Sequence, residues 1–309
     1  MSRILITGGA GFIGSNIVLD LVNRGEKTRV LDNLVTGDKR NIESVKKDIE
    51  FIEGDIRDLK TVRAAVEDID YIIHAAALPS VSRSIKDPIA TNDVNVSGTL
   101  NLLTVAKDAD ARRFIFASSS SVYGDSPKLP KEEGMCPDPK SPYAISKLVG
   151  EQYCKIFCDI YNLETVSLRY FNVFGPRQNP KSEYAAVVPK FIDLMLKGKR
   201  PTIYGDGNQS RDFTFVKNVV DATIKAIKAK NTSGEVINVA CEDRTTINDL
   251  TKKINEILGT SIRPVYADPR PGDVKHSLAD ISKAKRILGY KPTYFFEEGL
   301  KETIKWFSR

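Results

Sequence analysis

Thr7-Gly8-Gly9-Ala10-Gly11-Phe12-Ile13-Gly14 decides the fold. It follows the short apolar run Arg3-Ile4-Leu5-Ile6 and opens a stretch from Phe12 to Arg24. In that stretch Phe12, Ile13, Ile17, Leu21 and Val22 recur at helical spacing. The glycines therefore occupy a turn between a strand and a helix. Gly8 permits the tight turn, Gly11 lets a pyrophosphate approach the backbone, Gly14 lets helix and strand pack closely, and the helix N-terminus supplies amides and a favourable dipole. A second strand, Thr28 to Leu31, ends in Asp32, the acid expected to hold an adenosine ribose 2′-hydroxyl. A carboxylate there repels a 2′-phosphate, which favours NAD over NADP. A glycine-rich turn alone often has no ligand; strand, helix and acid in register point to a dinucleotide.

Further along, Tyr143 and Lys147 stand one helical turn apart in Ser141-Pro142-Tyr143-Ala144-Ile145-Ser146-Lys147, downstream of a serine cluster. The i, i+4 spacing puts phenol and ammonium on one helix face. A neighbouring cation favours the phenolate, whose unperturbed pKa is about 10, so the phenol is expected to serve as a base near neutral pH. Chance pairs of this kind are common on solvated helices; the glycine loop upstream raises this one above them.

The 309 residues, 41% of them hydrophobic, suffice for a nucleotide-binding domain and a smaller second one. Apolar stretches such as Tyr71-Ile72-Ile73-His74-Ala75-Ala76-Ala77-Leu78 are too short to span a bilayer. The first strand begins at residue 3, leaving no room for a signal peptide, so a cytoplasmic protein is expected. Cys136, Cys154, Cys158 and Cys241 show no Cys-x-x-Cys spacing, and only His74 and His276 remain to complete a metal site, so neither metal nor disulfide is expected. The net charge of +6 suits an anionic ligand, but basic and acidic residues are interspersed, without the cluster that nucleic-acid binding needs.

Strands are expected near 3–7, 28–32, 49–53, 70–74, 112–118, 164–169 and 235–239, mostly separated by helical patterns. That alternation implies an α/β fold, a Rossmann-like doubly wound parallel sheet with helices on both faces. The longest helices are expected from Asp87 to Lys107 and from Pro142 to Tyr161, the second capped by Ser141 with Pro142 at its first position. Tyr143 then lies near the strand C-termini, where open α/β sheets bind ligands. The expected division is a dinucleotide-binding domain over 1–175, with 211–240 returning to it, and a smaller α/β substrate domain from 176–210 and 241–309.

Over essentially its whole length the chain resembles the extended short-chain dehydrogenase/reductases, and among them the nucleotide-sugar 4-epimerases. The matching stretches are Thr7 to Gly14, Asp32-Asn33-Leu34, Gly54-Asp55-Ile56, Ala117 to Gly124 with its serines 118–121, Tyr143 with Lys147, Leu168 to Gly175, and Arg211-Asp212-Phe213. Three stretches are most similar to the UDP-N-acetylglucosamine 4-epimerases: Ala77 to Ser84, Tyr184 to Lys190, and Gly272 to Asp280.

The resemblance implies a cofactor site of Gly8, Gly11, Phe12 and Ile13 at the pyrophosphate, Asp32 and Asn33 at the adenosine ribose, and Asp55 and Ile56 flanking the adenine. Ala75, Ala76 and Tyr170 belong to the same site, and Lys147 would hold the nicotinamide ribose and depress the pKa of Tyr143. On the substrate side it implies Ser119 at the reacting hydroxyl, and Asn172, Val187, Tyr204, Arg211, Arg270 and Asp273 around UDP. Ser80, Ser120 and Ser277 would lie beside the sugar's C2 substituent. Hexose epimerases often carry lysine where Pro79 stands and tend to carry tyrosine where Ser277 stands. The expected reaction is inversion at C4 of a UDP-sugar through a 4-keto intermediate with tightly held NAD. UDP-N-acetylglucosamine/UDP-N-acetylgalactosamine is the expected substrate pair, with the plain hexoses accepted too. A UDP-glucuronate 4-epimerase is the runner-up. Dehydratases and decarboxylases of this fold carry an acid in the serine-cluster segment, where this chain has Ser120 and Ser121. A regulatory NAD-binding protein would have no need of Ser119, Tyr143 and Lys147 together. The resemblance also implies a homodimer built from the two long helices.

Overall fold

The computed structural model describes residues 2–182, 185–269 and 275–309. Tyr184, Arg270 and Asp273 lie outside the described residues. Seven parallel strands, β1 (Arg3–Thr7), β2 (Lys27–Asp32), β3 (Ile49–Glu53), β4 (Tyr71–His74), β5 (Arg113–Ser119), β6 (Glu164–Tyr170) and β7 (Glu235–Val239), form one sheet. Its order is β3-β2-β1-β4-β5-β6-β7, so the direction of winding reverses between β1 and β4. A crevice opens outside the strand C-termini at such a point.

The sheet is covered on both faces. Ile4 and Ile6 of β1 face one cluster with Ile17, Val18 and Leu21 of α1 (Phe12–Asn23), while Leu5 faces the other. That second cluster takes Val62, Ala65 and Val66 of α2 (Leu59–Val66), Leu102 and Leu103 of α3 (Gly98–Asp108), and Cys154 and Phe157 of α4 (Pro142–Tyr161). Helix α5 (Val216–Lys228) packs beside α1 on the first face through Val219, Ala222 and Ala226. A third cluster gathers Phe174, Phe191, Phe213, Phe215, Leu250, Phe296 and Leu300 beyond the strand C-termini.

The α4 boundaries are those the capping pattern gave. Ser141 accepts the Ala144 amide at 3.2 Å, Pro142 opens the helix, and Asn162 ends it in the left-handed region at φ 57°. The helix expected from Asp87 to Lys107 runs without interruption from Pro88 to Asp108, with a π turn over Asp93–Ser97 ahead of α3. Asn95 accompanies the π turn. Its amide carbonyl accepts from Leu78 N at 2.7 Å, and its NH2 donates to Leu78 O and to Ser146 Oγ at 3.2 and 3.1 Å. Drawing that side chain inward accommodates one extra residue in the turn.

Ala279, Ile281, Ala284, Leu288 and Tyr290, assigned by sequence to the substrate domain, pack in the first sheet-covering cluster, and the Tyr290 hydroxyl donates to Ala240 O at 2.9 Å. Among the described residues no helix is long and apolar enough to cross a membrane.

Candidate active site

The glycine loop is built as its spacing implies. Gly8 has φ +71°, and a Cβ there would come within 2.7 Å of Ala76 Cα and N. At Gly14 a Cβ would meet Gly8 O at 2.1 Å. Gly11 is different: its Cβ would meet only Gly8 O, at 3.1 Å, so its outer face is open. As N-cap of α1, Gly11 offers no side-chain acceptor, which leaves the first-turn amides of Phe12 and Ile13 for an external one. The open face and the free amides suit a diphosphate.

Asp32 is 7% exposed and serves the loop directly. Its carboxylate accepts from Ala10 N at 2.9 Å and Leu34 N at 2.8 Å. Burial raises its pKa, opposed by these amides and that of Gly11. A second anion placed against this buried carboxylate would be repelled, which suits an unphosphorylated ribose. Next to it, Asn33 donates to Asp55 at 2.8 Å, and the Arg57 guanidinium holds the Asp55 carboxyl down to about 2. Ile56 is buried against the Cβ-less flank of Gly98. Ala75 and Ala76 continue β4 past the crevice, their amides donating to Thr7 O and Thr7 Oγ1.

Ser119, Tyr143 and Lys147 meet at the end of β5. Ser119 hydrogen-bonds the Tyr143 phenol and also accepts from Ser121 N at 3.1 Å. Lys147 Nζ donates to Ala117 O at 2.8 Å and lies 4.9 and 5.9 Å from the ring centroids of Phe116 and Tyr143. Here the structure corrects one expectation. The Tyr143 pKa is raised, not depressed: burial raises it and the Ser119 hydrogen bond opposes the rise. The ammonium is committed to a backbone carbonyl, and burial lowers its own pKa to about 8 against the opposing effect of Glu151.

A second correction concerns Tyr170. Its hydroxyl donates to Thr223 Oγ1 at 2.8 Å inside the core, Thr223 itself donating to Val219 O. The side chain therefore points at α5, away from the cofactor crevice.

On the other wall, Asn172 (φ 36°) donates to Asp212 O at 3.0 Å and to Ser277 Oγ at 3.2 Å. Ser277 N donates to Ser210 O, and Arg211 donates to Ser210 O and Lys275 O. Asn172, Arg211 and Ser277 thus form one cluster. Asp212 anchors it from beneath, accepting from Cys241 N at 2.9 Å and Ala279 N at 3.2 Å. Val187 opens the helix Val187–Leu196 and leans on the third cluster, and Tyr204 O accepts from Gln209. Ser80 (φ 94°) caps Val81–Lys86, and half-buried Ser120 begins the short helix after β5.

Asn95 escaped the sequence reading. It is buried and ties the Leu78 backbone to Ser146, which donates to Tyr143 O at 2.8 Å. The one signal for it was an amide side chain amid the apolar Val94 and Val96. His74 is similarly buried, and its tautomer follows from its partners. Thr99 Oγ1 donates to Asn95 O, so it accepts from His74 Nε2–H, leaving Nδ1 to accept from Thr7 Oγ1. Burial, with Lys147 nearby, pushes the imidazole down to about 3. This group is neutral in the fold and becomes cationic in the unfolded chain below pH about 6.5, so it removes stability as pH falls from there toward 3. One proton is worth ~1.4 kcal/mol per pH unit. Urea unfolding of His74→Gln should therefore show a shallower stability loss between pH 6.5 and 5 than the wild type, and parallel slopes would refute this.

Residues 4–240 match the NAD dependent epimerase/dehydratase family. The chain is 43% identical to the UDP-N-acetylglucosamine 4-epimerase of Methanobrevibacter ruminantium, solved with UDP-N-acetylmuramic acid; the TM-score is 0.95 and the match covers 99% of this chain and 98% of that one. It is 38% identical to the UDP-glucose 4-epimerase of Thermus thermophilus, solved with NAD, at a TM-score of 0.91 and 99% coverage of both. The UDP-glucose 4-epimerase of Mycolicibacterium smegmatis is 37% identical over 99% of this chain and 98% of its own.

Proposed function

Because the chain belongs to the NAD dependent epimerase/dehydratase family, within the extended short-chain dehydrogenase/reductases, we propose that it is a UDP-sugar 4-epimerase whose main substrates are UDP-N-acetylglucosamine and UDP-N-acetylgalactosamine. The cofactor is NAD, and the open face of Gly11, the uncapped first turn of α1 and the buried Asp32 fit it. The observation that carries the proposal is the meeting of Ser119, Tyr143 and Lys147 at the end of β5.

In this reading Ser119 holds the sugar 4-hydroxyl and Tyr143 removes its proton, returning it when the alcohol re-forms. NAD, when bound, accepts the C4 hydrogen as hydride, returns it, and in its oxidised form adds a positive charge to the crevice. Burial raises the Tyr143 pKa, so a further cation in the crevice would favour its ionisation. Lys147 holds the nicotinamide ribose. Asn172, Val187, Tyr204 and Arg211 hold UDP, with Arg270 and Asp273 from outside the described residues. The 4-keto sugar would turn over with its UDP anchored, and Tyr143 would give the proton back as the inverted alcohol forms. Functionally, 1–175 with 211–240 carry the dinucleotide, and 176–210 with 241–309 carry the sugar nucleotide.

Ser277 supports the choice of an N-acetylated sugar. Its hydroxyl accepts from Asn172 at 3.2 Å. A small hydroxyl side chain leaves room for an acetamido group, and Ser80 and Ser120 are assigned the same role. The test is turnover of UDP-N-acetylglucosamine, UDP-glucose and UDP-glucuronate side by side. Preference for the glucuronate would replace the substrate assignment.

A homodimer belongs to the same proposal. Ile85, Ile89, Ile145, Ile156 and Ile160 are 64, 74, 50, 46 and 65% exposed on α4 and the helices packed against it, a concentration of apolar surface that marks an interface. Ile89→Glu with Ile145→Glu should convert a dimer to a monomer in light scattering; a monomeric wild type would contradict this.

A further inference from the structure

Three consecutive residues of β5 engage three residues on one face of α4. Ser119 binds Tyr143, the Ala117 carbonyl receives Lys147, and Ser118 Oγ donates to Glu151 at 2.5 Å. The helix residues are spaced i, i+4, i+8, so Glu151 continues the Tyr143–Lys147 face by one turn. Arg169, in register with Ser118 on the neighbouring strand, grips Glu151 with a two-pronged contact: Nε to Oε1 at 2.8 Å and Nη2 to Oε2 at 2.7 Å. The two side chains are 3% and 1% exposed. Arg169 also lies 4.6 Å over the Tyr123 ring, whose hydroxyl donates to Asn238. A buried ion pair is a poor source of net stability compared with an apolar replacement, so its place directly behind Lys147 calls for another reason.

We propose that Glu151, fixed by Arg169 and Ser118, is a positioning residue for the epimerase reaction: it sets the height of the Tyr143–Lys147 turn over the end of β5 and places a carboxylate one helical turn behind Lys147. The inference rests on the reading of Tyr143 and Lys147 given above. Around the Lys147 ammonium stand Tyr143, Glu151 and Cys154 on its own helix, His74 on β4 and, behind Glu151, Arg169 on β6. Burial pushes Cys154 up to about 12, His74 is neutral, and the buried phenol is protonated. Burial alone lowers the lysine, and Glu151 opposes that fall.

The test compares the wild type, Tyr143→Phe, Glu151→Gln and the double variant Glu151→Gln/Arg169→Met, each assayed for bound NAD, thermal unfolding, and kcat and KM against pH. Glu151→Gln leaves Arg169 buried without its partner and is expected to lose stability. The double variant removes both charges and should fold and retain NAD. Its kcat at pH 7 should drop by ~10-fold or more with KM within ~3-fold, a loss confined to the proton-transfer step. The alkaline limb of its kcat profile should move to lower pH by about one unit, because the lysine has lost its counter-charge. A purely structural pair would lower activity equally at every pH. Wild-type kcat in the double variant, an unmoved alkaline limb, or failure of the double variant to fold or hold NAD would each overturn the proposal. Full activity in Tyr143→Phe, or none in the wild type, would instead remove the proposed function beneath it.

Discussion

Tyr143→Phe should yield a folded, NAD-loaded protein whose epimerase turnover falls by at least ~10²-fold, the usual scale for a general acid/base group. The ring keeps its packing; what is lost is the oxygen that Ser119 hydrogen-bonds. The drop should appear in kcat at every pH, since no other described group near the reacting hydroxyl is poised to take its proton. Ser119 shares its oxygen with the Ser121 amide, Lys147 donates to Ala117 O, and the His74 ring is buried with both nitrogens bonded. Measured by coupled assay or NMR, turnover within threefold of wild type would take Tyr143 out of the mechanism.

Ser277→Tyr should abolish activity on the N-acetylated pair while leaving UDP-glucose and UDP-galactose as substrates. The serine is half-buried, hydrogen-bonded to Asn172 and fixed through its amide to Ser210, and the proposed function puts it beside the sugar's C2 substituent, where a phenol would take the room of the acetamido group. Overfilling a packed site costs typically ~1–3 kcal/mol, which is roughly 5- to 140-fold in selectivity at about 1.4 kcal/mol per tenfold. Ser277→Ala, which keeps the room and loses the hydroxyl, should weaken the N-acetyl substrates only modestly. Equal loss of both activities in Ser277→Tyr, or retention of both, would show that Ser277 is not the gate.

Local patterns carried most of the large-scale reading. The sheet strands were legible because β1, β4 and β5 are short apolar runs and the helical patterns between the strands set the alternation. The start of α4 was legible because Ser141 and Pro142 form a standard cap, and the glycine loop because close approach excludes a Cβ at Gly8 and Gly14. What sequence could not show is what tertiary contacts decide. Strand β6 is buried on both faces, so it has no alternation to reveal that Tyr170 points at Thr223 rather than the crevice. The π turn at 93–97 exists because Asn95 binds Leu78, a contact across 17 residues. Lys147 was expected to act on Tyr143, but spacing cannot foresee that the Ala117 carbonyl takes the ammonium or that burial dominates the phenol. Similarly, Ile281, Ala284 and Leu288 are too few to declare which cluster they join, and they pack against the sheet's. The Glu151–Arg169 pair looked like any two charges 18 positions apart.

The most direct test of the account is to incubate the purified protein in D2O with UDP-N-acetylglucosamine and no added cofactor, and to follow the sugar by proton NMR. A resident NAD that takes the C4 hydrogen and gives the same hydrogen back predicts UDP-N-acetylgalactosamine carrying protium at C4, with turnover beyond one equivalent. Deuterium at C4, a requirement for added NAD with stoichiometric NADH release, or a product changed anywhere other than C4 would contradict it.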